Sequence, residues 1–580
     1  METFSSLVAL LKRRAESQPD ERAYVFLGDR GVEEANITFR QLQNAALALA
    51  GRLKKIARPG DRAILVFPPG LEFLVAFFGC QIARVIAVPM MMPRRQSARD
   101  SSAAIIANCE PIVALTSSSF ADRKDLHARF SNDRMQWLTV GMTDIEPGAN
   151  GMPPPPPDPQ NIAFLQYTSG STSEPKGVAV SHANLLANLE MIRLALGTTK
   201  QSTFVNWVPL YHDMGLILNP LGSLYVGAMC VLMAPNGFMQ RPLSWLRAIH
   251  DYRGEIGCSP NFGFDLCVSR YRADQMEGID LSSWKVALNG AEPVHAETIR
   301  RFIETFAVHG FDPAAAYPGY GMAEATLMVA GGRRGSGHAT RTISRSGLVA
   351  QAVGAPVDHA DIRTLVGCGR ALVNERIAIV EPDSRRRLPS DKIGEVWVNG
   401  PNVAGFYWRN PEATRTNLAA KIEDEDQGAS WLRTGDLGFL DEIGELFITG
   451  RIKDLIIIRG INHYPQDIER TVQALHPAFR QNCGAAFSVP DDRGEETPVI
   501  EEALVIVQEI ERTARNVIDP AEMTNIIRRG VAAQHELFAR HIVLIRPGAL
   551  PKTTSGKIQR SLARRLWLER RFDDLVVGAD

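Results

Sequence analysis

Hydrophobic residues fall into two alternating patterns through the first two-thirds of the chain. The run Ala63–Phe67 is continuously apolar and ends at two prolines and a glycine, which predicts a buried strand. Helical spacing begins at about Leu71, and Val85–Val88 predicts the next strand. Strand, helix and strand in this order predict a parallel sheet that helices cover on both faces.

The pattern changes after about residue 370. Three short runs alternate or are apolar, with turn residues between them: Arg376–Val380, Gly394–Val398 and Gly444–Ile448. They predict antiparallel hairpins and hence a small β-subdomain. A smaller α/β unit follows, with a strand at Leu455–Ile458, a helix near Gln466–Leu475, a strand at Ala503–Val507 and a last helix from about Ile558.

Composition indicates an ordinary globular protein with little net charge. Of the 580 residues, 45% are hydrophobic and 22% are charged, and this much apolar surface can offset the entropy of ordering the chain. The length predicts about three to five domain-sized units. Because 64 basic residues balance 65 acidic ones, we expect no general attraction to nucleic acid or anionic lipid.

The cysteines and the apolar runs indicate the compartment. None of the seven cysteines forms a CxxC pair, so we expect buried thiols in a reducing environment and neither a zinc site nor a disulfide framework. The apolar run Leu7–Leu11 is followed by three basic residues, which argues against a signal peptide. The longest apolar run, Phe73–Cys80, is too short to cross a membrane. We therefore expect a cytoplasmic protein without a membrane segment.

The segment Tyr167–Gly177 (YTSGSTSEPKG) carries the strongest local signal. It follows a predicted strand, Ile162–Leu165, and precedes a helical pattern. Its two glycines and five Ser/Thr hydroxyls can offer N–H and O–H donors to an anion, and Lys176 adds a positive charge. This is the chemistry of a phosphate-binding loop, although the Walker A pattern occurs nowhere in the chain. Composition alone leaves a flexible Ser/Thr loop as the alternative.

Six further motifs follow in chain order. They are Trp207–Gly215 (WVPLYHDMG), Asn289–Pro293 (NGAEP), Gly319–Glu324 (GYGMAE), Leu432–Asp436 (LRTGD), Gly450–Asp454 (GRIKD) and Pro551–Lys557 (PKTTSGK). Together with the first segment they resemble the adenylate-forming superfamily, which includes acyl-CoA synthetases, peptide-synthetase adenylation domains and luciferases. The resemblance extends from about Thr38 to Arg560, and seven motifs in the same order are a specific match.

The resemblance implies a two-domain α/β fold. A large N-terminal domain would cover residues 1–452, with two doubly wound α/β subdomains to about residue 370 and a small β-barrel-like subdomain over about 371–452. A small, mobile α/β lid domain would cover residues 453–580. The hinge of the family falls at Lys453, and a hinge needs only a few residues at a domain boundary that absorb a change in φ and ψ.

The resemblance also implies an ATP site. Tyr320 would stack on adenine, because an aromatic face binds a base with little geometric demand. Asp436 would accept hydrogen bonds from the ribose hydroxyls, and Arg451 would donate to the same ribose. A core tyrosine and a surface salt bridge are the alternatives. The expected ATP- and AMP-binding residues are Thr168, Ser169, Gly170, Ser171, Thr172, Lys176, Asn289, Gly290, Ala291, Glu292, Tyr320, Gly321, Met322, Ala323, Asp436 and Arg451.

Three residues are expected to take part in the chemistry. Glu324 would hold Mg²⁺ between phosphates, since magnesium prefers one or two carboxylates together with phosphate oxygens. Lys557 would reach the α-phosphate and the substrate carboxylate and stabilise the charge that develops there. His212 would contact the substrate carboxylate or pyrophosphate, and a packing histidine is the equal alternative.

Several positions point to one branch of the superfamily. Ala323 stands where many members carry Thr, and Ser173 replaces a common glycine. The run Ala323–Thr326 and the segment Leu455–Glu469 (LIIIRGINHYPQDIE) instead resemble the fatty acyl-AMP ligases. Ile461 departs from that branch, which often has Arg at this position.

The segment between Thr326 and Val366 is longer than in acyl-CoA synthetases. Within it, Leu348–Val353 is predicted to pair as strands. In the fatty acyl-AMP ligases an insertion at this place restricts rotation of the C-terminal domain and disfavours CoA as the acceptor. A tolerated surface insertion without mechanistic effect is the alternative.

The activity that this resemblance implies is ATP-dependent conversion of a fatty acid to acyl-AMP, with release of pyrophosphate. The acyl group would then pass to the phosphopantetheine thiol of a separate acyl carrier protein of a polyketide or lipopeptide pathway. A fatty acyl-CoA synthetase and a non-catalytic acyl- or nucleotide-binding homologue are the alternatives. An apolar tunnel is expected around Phe262, Gly263 and Phe264, with Met233 as a further candidate, because each buried CH₂ contributes roughly 0.8 kcal/mol. Ordinary core packing is the alternative for these residues.

Arginines are frequent in and after the last predicted helix. They are Arg560, Arg564, Arg565, Arg570 and Arg571. A solvated helix face is one interpretation, and a docking face for an acidic carrier protein is the other.

Overall fold

The computed structural model describes most of the chain. The described residues are 4–92, 102–120, 123, 130, 135–142, 156–168, 175–359, 361–425, 428–458, 461–490, 502–515, 517–553, 556–572 and 576–579. Four expected phosphate-loop residues lie outside this set, namely Ser169, Gly170, Ser171 and Thr172.

The strands, in chain order, are β1 Arg22–Leu27, β2 Glu33–Thr38, β3 Arg62–Leu65, β4 Ile86–Pro89, β5 Val113–Ser117, β6 Gln136–Val140, β7 Ile162–Thr168, β8 Lys176–Ser181, β9 Thr203–Asn206, β10 Met229–Met233, β11 Ile256–Ser259, β12 Val286–Asn289, β13 Ala316–Gly321 and β14 Met328–Gly331. The later strands are β15 Thr340–Ser344, β16 Ile362–Val366, β17 Arg370–Ala371, β18 Arg376–Val380, β19 Gly394–Asn399, β20 Leu432–Leu440, β21 Leu446–Arg451, β22 Ile456–Ile458, β23 Ile461–His463, β24 Phe479–Pro490, β25 Glu502–Ile510, β26 Ala539–Ile545 and β27 Val576–Ala579.

The α-helices are Leu7–Ser17, Phe39–Leu53, Glu72–Ala83, Ser102–Cys109, His182–Leu196, Gly222–Val226, Pro235–Gln240, Leu243–Asp251, Asn261–Ser269, Ala273–Met276, Ala296–Phe306, Arg345–Val349, Pro411–Ala413, Pro465–Leu475, Pro520–His535 and Arg560–Leu568. Two wider helical segments of the π type run over Met214–Leu221 and Thr414–Leu418.

Two α/β sheets form the first two-thirds of the structure. The six-stranded sheet has the order β6-β5-β3-β4-β7-β8, and its neighbours run parallel except β7 and β8. The nine-stranded sheet has the order β17-β14-β13-β12-β11-β9-β10-β1-β2, with antiparallel pairs only at its two ends. Ala63 and Leu65 of β3 enter one apolar core and Ile64 enters another, so both faces of the first sheet are covered. The predicted parallel α/β architecture is confirmed.

The strand β8 was not predicted. β8 begins at Lys176 and pairs antiparallel with β7, with Thr168 opposite Lys176. The phosphate-loop segment therefore connects two strands of a hairpin, and the helix His182–Leu196 starts only after β8. Ser181 caps that helix and forms a capping box with Asn184. The valines of β8 favour a strand, but their run is too short to reveal it by periodicity.

The predicted β-subdomain is an antiparallel sheet in the order β18-β19-β20-β21. The preceding insertion differs from the prediction. Leu348–Val353 does not form paired strands, because Ser344 caps a short helix, Arg345–Val349, by accepting a hydrogen bond from the N–H of Gly347. The strands that pair are instead the flanking β15 and β16.

The C-terminal unit is a small α/β sandwich around the sheet β24-β25-β26-β27. The helices Pro465–Leu475 and Pro520–His535 pack on one face of this sheet, and the helix Arg560–Leu568 packs on the other. Arg560 lies between Glu469 and Asp454, with Nη2 2.7 Å from Oε2 of Glu469 and Nη1 3.0 Å from Oδ2 of Asp454. Its expected place on an exposed arginine face is therefore wrong, while Arg565, Arg570 and Arg571 are exposed.

Two further expectations concern apolar groups. All seven cysteines are free and buried, as expected. The apolar run Phe73–Cys80 lies within the buried helix Glu72–Ala83. Among the described residues, no helix has both the length and the apolar character needed to span a bilayer.

The partly buried charge cluster makes a stability prediction. Replacing Glu469 with Ala should lower the free energy of unfolding by about 1–3 kcal/mol, because Arg560, whose side chain is 18% exposed, loses its bidentate partner and keeps only Asp454. Thermal unfolding of the purified protein measures the change. The control Glu522→Ala, at an exposed position in the same unit, should stay within about 0.5 kcal/mol. Equal shifts in the two variants would contradict the assignment.

Candidate active site

Tyr320, Asp436 and Arg451 meet at the carboxyl end of β13. The hydroxyl of Tyr320 donates to Oδ2 of Asp436 at 2.8 Å, and Nε of Arg451 donates to Oδ1 at 2.6 Å. Asp436 lies on β20 directly opposite Arg451 on β21, so strand register brings this pair together. Each carboxylate oxygen keeps a further lone pair, which a ribose hydroxyl can use.

Their surroundings keep Tyr320 and Arg451 in the protonated forms that donate these bonds. Burial raises the pKa of Tyr320 well above its usual value, and the neighbouring Asp436 raises it further. Asp436 also raises the pKa of Arg451, against the opposing effect of burial. Tyr320 therefore remains a donor and Arg451 remains a cation at any physiological pH.

Glu324, Tyr407 and Lys176 form a second group, near enough to Arg451 for its charge to act on Glu324. The hydroxyl of Tyr407 donates to Oε1 of Glu324 at 2.9 Å, and Nζ of Lys176 lies 5.3 Å from the centre of the Tyr407 ring. Burial raises the pKa of Glu324 and lowers that of Lys176, and the charge of Lys453 lowers the latter further. A cation beside Glu324 and an anion beside Lys176 would relieve both effects.

A single segment, Gly400–Trp408, joins these elements, and we call it the crossing loop. The N–H of Ala404 donates to the carbonyl of Glu324 at 2.8 Å. The N–H of Trp408 donates to the carbonyl of Gly177 at 2.7 Å, next to Lys176. The crossing loop therefore fixes the position of Glu324 relative to the strand that follows the phosphate-loop segment.

His212 and Asp213 lie near Lys557 of the C-terminal unit. Nδ1 of His212 lies 2.6 Å from Oδ1 of Asp213, and the N–H of Met214 donates to the same oxygen at 2.7 Å. Burial alone would raise the pKa of Asp213, but His212 and the charge of Lys557 hold it below its usual value. Asp213 thus orients the imidazole of His212 and faces the lysine of the C-terminal unit.

Lys557 enters the cleft on a tight turn of the C-terminal unit. The N–H of Thr553 donates to the carbonyl of Lys557 at 2.7 Å, which closes this turn. Gly556 has φ +85°, and a Cβ on it would lie 2.9 Å from the ring of Phe262, so the turn needs glycine here. Burial and then Arg451 lower the pKa of Lys557, while Asp213 and Glu292 oppose them.

The expected adenine-pocket residues lie at the adjacent ends of β12 and β13. Asn289 pairs in register with Pro318, and its Nδ2 donates to Oδ1 of Asn261 at 3.1 Å. A Cβ on Gly321 would lie 1.8 Å from the carbonyl of Leu327, which requires glycine at this close approach. The other expected residues of the two strand ends are Gly290, Ala291, Glu292, Met322 and Ala323.

The expected acyl-pocket residues divide into two groups. Phe262 packs edge-on against Trp207, and a Cβ on Gly263 would collide with Ser259 and Trp207. Phe264 borders an apolar cavity, whose other lining residues are Ala287, Asn289, Ile299, Phe302, Ile303, Phe311, Ala316 and Tyr317. Met233 is buried in β10 and does not line this cavity.

Sequence reasoning missed two residues of the site. Tyr407, which holds Glu324, lies in an aromatic run, Phe406–Trp408, outside the seven motifs. Asp213 lies inside a motif, directly after His212, but received no role. Lys453, the expected hinge, lies near enough to Lys176 to lower the pKa of that lysine.

Two protein families match nearly the whole chain. The AMP-binding enzyme family matches residues 11–408, and the Disco-interacting protein 2-like AMP domain matches residues 453–575. The chain belongs to the AMP-binding enzyme family. Among the relatives of this AMP-binding enzyme, the medium-chain-fatty-acid–[acyl-carrier-protein] ligase JamA of Moorena producens is 40% identical, over 98% of this chain and 96% of its own length. The long-chain-fatty-acid–AMP ligase FadD32 of Mycolicibacterium smegmatis is 36% identical, over 97% of this chain and 94% of its own.

Solved structures resemble this AMP-binding enzyme over its full length. The fatty acid AMP ligase from Legionella pneumophila is 39% identical with a TM-score of 0.75, and the match covers 100% of this chain and 98% of that one. A fatty acyl-adenylate ligase from the same organism, in complex with acyl adenylate and pyrophosphate, is 38% identical with a TM-score of 0.74 and the same coverage.

The expected ribose contact of Asp436 makes a binding prediction. Replacing Asp436 with Asn should weaken AMP binding about tenfold to a hundredfold, because hydrogen bonds to a charged group contribute roughly 1.5–3 kcal/mol. Calorimetric titration with AMP measures the dissociation constant. The control Glu442→Gln changes an exposed carboxyl in the adjoining β20–β21 turn and should bind AMP normally. Unchanged binding in Asp436→Asn would remove the ribose assignment.

Proposed function

We propose that this chain activates a fatty acid with ATP to form acyl-AMP and pyrophosphate, and then transfers the acyl group to the phosphopantetheine thiol of a separate acyl carrier protein. One observation carries the proposal. Residues from motifs far apart in sequence meet, since Tyr320 and Arg451 both donate to Asp436, and Lys557 lies near enough to Asp436, Arg451 and Asp213 for their charges to act on its pKa.

In the first step, the fatty carboxylate attacks the α-phosphate of ATP in line and pyrophosphate leaves. The chain contributes position and charge, without a covalent enzyme intermediate. Asp436 and Arg451 hold the ribose, and Tyr320 stacks on adenine. Lys557 stabilises the negative charge between the attacking carboxylate and the α-phosphate, and these anions raise its lowered pKa again.

The residues present fit Mg²⁺. Among the described residues, no cluster of three or more ligating side chains occurs, so an ion must take most of its ligands from phosphates and water. Glu324 fits this requirement, because Tyr407 occupies Oε1 and burial has raised the pKa of a carboxyl that a cation would stabilise. Bound there, Mg²⁺ would neutralise charge on the pyrophosphate.

The relatives' names favour a fatty acid as the substrate class. The cavity beside Phe264 is walled mainly by phenylalanine and isoleucine side chains, but its volume of about 10 Å³ is that of a single water molecule, so it does not hold a fatty chain as it stands. The relatives JamA and FadD32 are named for medium-chain and long-chain fatty acids, which supports a fatty acid as the substrate class.

The insertion supports a carrier protein as acceptor. Arg363 of β16 places Nη1 2.8 Å from Oδ2 of Asp467, at the start of the C-terminal helix Pro465–Leu475, and both side chains are less than 10% exposed. The guanidinium also lies over the ring of Tyr464, 5.0 Å from its centre. These contacts tie the insertion to the lid domain, so rotation of the lid about Lys453 would have to break them. The name of JamA, an acyl-carrier-protein ligase, agrees with this acceptor.

The direct test supplies ATP, Mg²⁺ and a panel of fatty acids, with CoA and a phosphopantetheinylated carrier protein as competing acceptors. We expect acyl-AMP and acyl-carrier to form, with little acyl-CoA. Formation of acyl-CoA as fast as acyl-AMP would favour the CoA synthetase alternative, and absence of all three products would favour a non-catalytic homologue.

Lys557 gives the sharpest test of the first step. Lys557→Ala should lower the rate of acyl-AMP formation by about 10²–10³, because a preorganised charge is lost where negative charge develops. Pyrophosphate release measures this rate. The matched control is Lys552→Ala on the same turn, where the ammonium instead donates to the carbonyl of Asn482 at 2.7 Å. Equal losses in both variants would make Lys557 a structural residue.

The insertion contact predicts acceptor choice. Arg363→Ala should increase acyl-CoA relative to acyl-AMP at saturating CoA, because the lid loses a buried ion pair that holds it to β16. The control Arg341→Ala, on the neighbouring β15, removes a more exposed ion pair with Asp391 and should leave the product ratio unchanged. An unchanged ratio in Arg363→Ala would favour the tolerated surface insertion.

A further inference from the structure

Glu375 is a buried carboxyl without a charged partner. It lies between β17 and β18 and is 7% exposed. Among the described residues, no hydrogen bond of good geometry reaches either of its carboxyl oxygens. An ionised carboxylate in this position would lose its hydration with only the amide of Asn402 to offset the loss, which is unfavourable.

A third unpaired oxygen lies beside this carboxyl. Asn402, in the crossing loop, is fully buried, and no donor reaches its Oδ1 from the described residues. A Cβ on Gly400 would lie 2.5 Å from Oδ1 of Asn402 and 2.9 Å from Oε1 of Glu375, so both oxygens border the same space beside Gly400. Two acceptors that border one space repel unless one of them carries a proton.

We propose that Glu375 is protonated in the working enzyme and donates its hydroxyl to Oδ1 of Asn402, and that this hydrogen bond positions Glu324 for MgATP. A single proton gives the convergent oxygens the donor that they otherwise lack. Burial raises the pKa of Glu375 to about 8, and the amide of Asn402 offsets only part of this rise. The adjacent charge, Arg376, is engaged with Asn399 and Glu425 on the exposed side.

Asn402 transmits its orientation to the loop of Glu324 through three contacts. Its Nδ2 donates to the carbonyl of Ala325 at 3.1 Å, and its own carbonyl accepts from Oγ1 of Thr326 at 2.6 Å. Thr326 has φ +67°, a strained conformation that these bonds hold in place. Two residues later, the N–H of Ala404 reaches the carbonyl of Glu324. Glu375 is therefore a positioning residue that acts through Asn402.

The crossing loop is also bonded to the helix that follows β8. Nδ2 of Asn184, in the capping box of helix His182–Leu196, donates to the carbonyls of Pro401 and Val403 at 2.9 and 3.0 Å. Asn402 lies between these two carbonyls in sequence. A reorientation of its amide would therefore disturb the relation between Glu324 and the segment that carries Lys176.

The inference rests on the adenylation reaction proposed above and predicts a specific pH dependence. As pH rises through about 8, Glu375 loses its proton, the bond to Asn402 is lost, and the KM for MgATP should rise about tenfold. The KM for the fatty acid should not change. Since the folded pKa lies above the ordinary value of 4.5, the carboxyl favours the folded state at low pH, and this contribution declines between about pH 4.5 and 8.

Two substitutions at Glu375 separate the donor from the shape of the side chain. Glu375→Gln keeps a permanent N–H donor, so its KM for MgATP should stay low through pH 9. Its free energy of unfolding should not show the decline between about pH 4.5 and 8 that is expected of the wild type. Glu375→Met keeps the length without a donor, so its KM should be raised about tenfold at every pH. Glu423→Gln, an exposed carboxyl of the same sheet region, should follow the wild type.

The outcomes are decisive in both directions. The proposal is overturned if Glu375→Gln shows the same alkaline rise in KM as the wild type, or if folded Glu375→Met binds MgATP normally. If Glu375→Met unfolds, the wild type and Glu375→Gln still decide between a donor and no donor. If no protein makes acyl-AMP, the proposed function fails, and thermal unfolding of the wild type and Glu375→Gln between pH 5 and 8 still tests the proton. If the free energy of unfolding depends on pH equally in the two proteins, Glu375 does not carry the proposed proton.

Discussion

The site depends on one carboxylate, Asp436, that two other segments reach. Tyr320 donates to one of its oxygens and Arg451 to the other. Because Asp436 and Arg451 are paired residues of neighbouring strands, their contact follows from register, and a one-residue slip would turn their side chains to opposite faces. Burial of Tyr320 and Asp436 strengthens the contact between them, since the surrounding protein screens charge far less than water does, whereas the side chain of Arg451 is 49% exposed.

The remaining charges of the cleft are arranged for a ligand that neutralises them. Burial lowers the pKa of Lys176 and Lys557 and raises that of Glu324, so each group is less stable in its charged form than in water. Phosphates beside the lysines and a cation beside Glu324 reverse all three effects together. The folded protein already holds these groups in place, so a nucleotide and a cation can bind without further rearrangement of the charges.

Among the contacts between the C-terminal unit and the rest of the protein, two bear on the proposed function. The glycine turn of Lys557 lies against Phe262, and Asp467 is paired with Arg363 of the insertion. In the reaction that we propose, the first contact would place the charge of Lys557 at the reacting atoms. The second joins the C-terminal unit to a hairpin, β15–β16, that packs with the β-subdomain through Leu365 and Phe447. The proposed chemistry and the proposed acceptor choice therefore involve different surfaces of the same small unit.

The sequence by itself determined the elements whose signal is local and the residues that belong to ordered motifs. Ala63–Phe67 and the hairpins after residue 370 could be predicted, because the order of apolar and polar residues within a short stretch indicates which side chains are buried. The helix Arg345–Val349, the bond from Tyr407 to Glu324 and the meeting of Glu375 with Asn402 could not. Tyr407 and Glu324 are 83 residues apart. Only the tertiary structure decided such contacts, because the pairing of distant strands follows from burial summed over the whole core, which no short stretch of sequence contains.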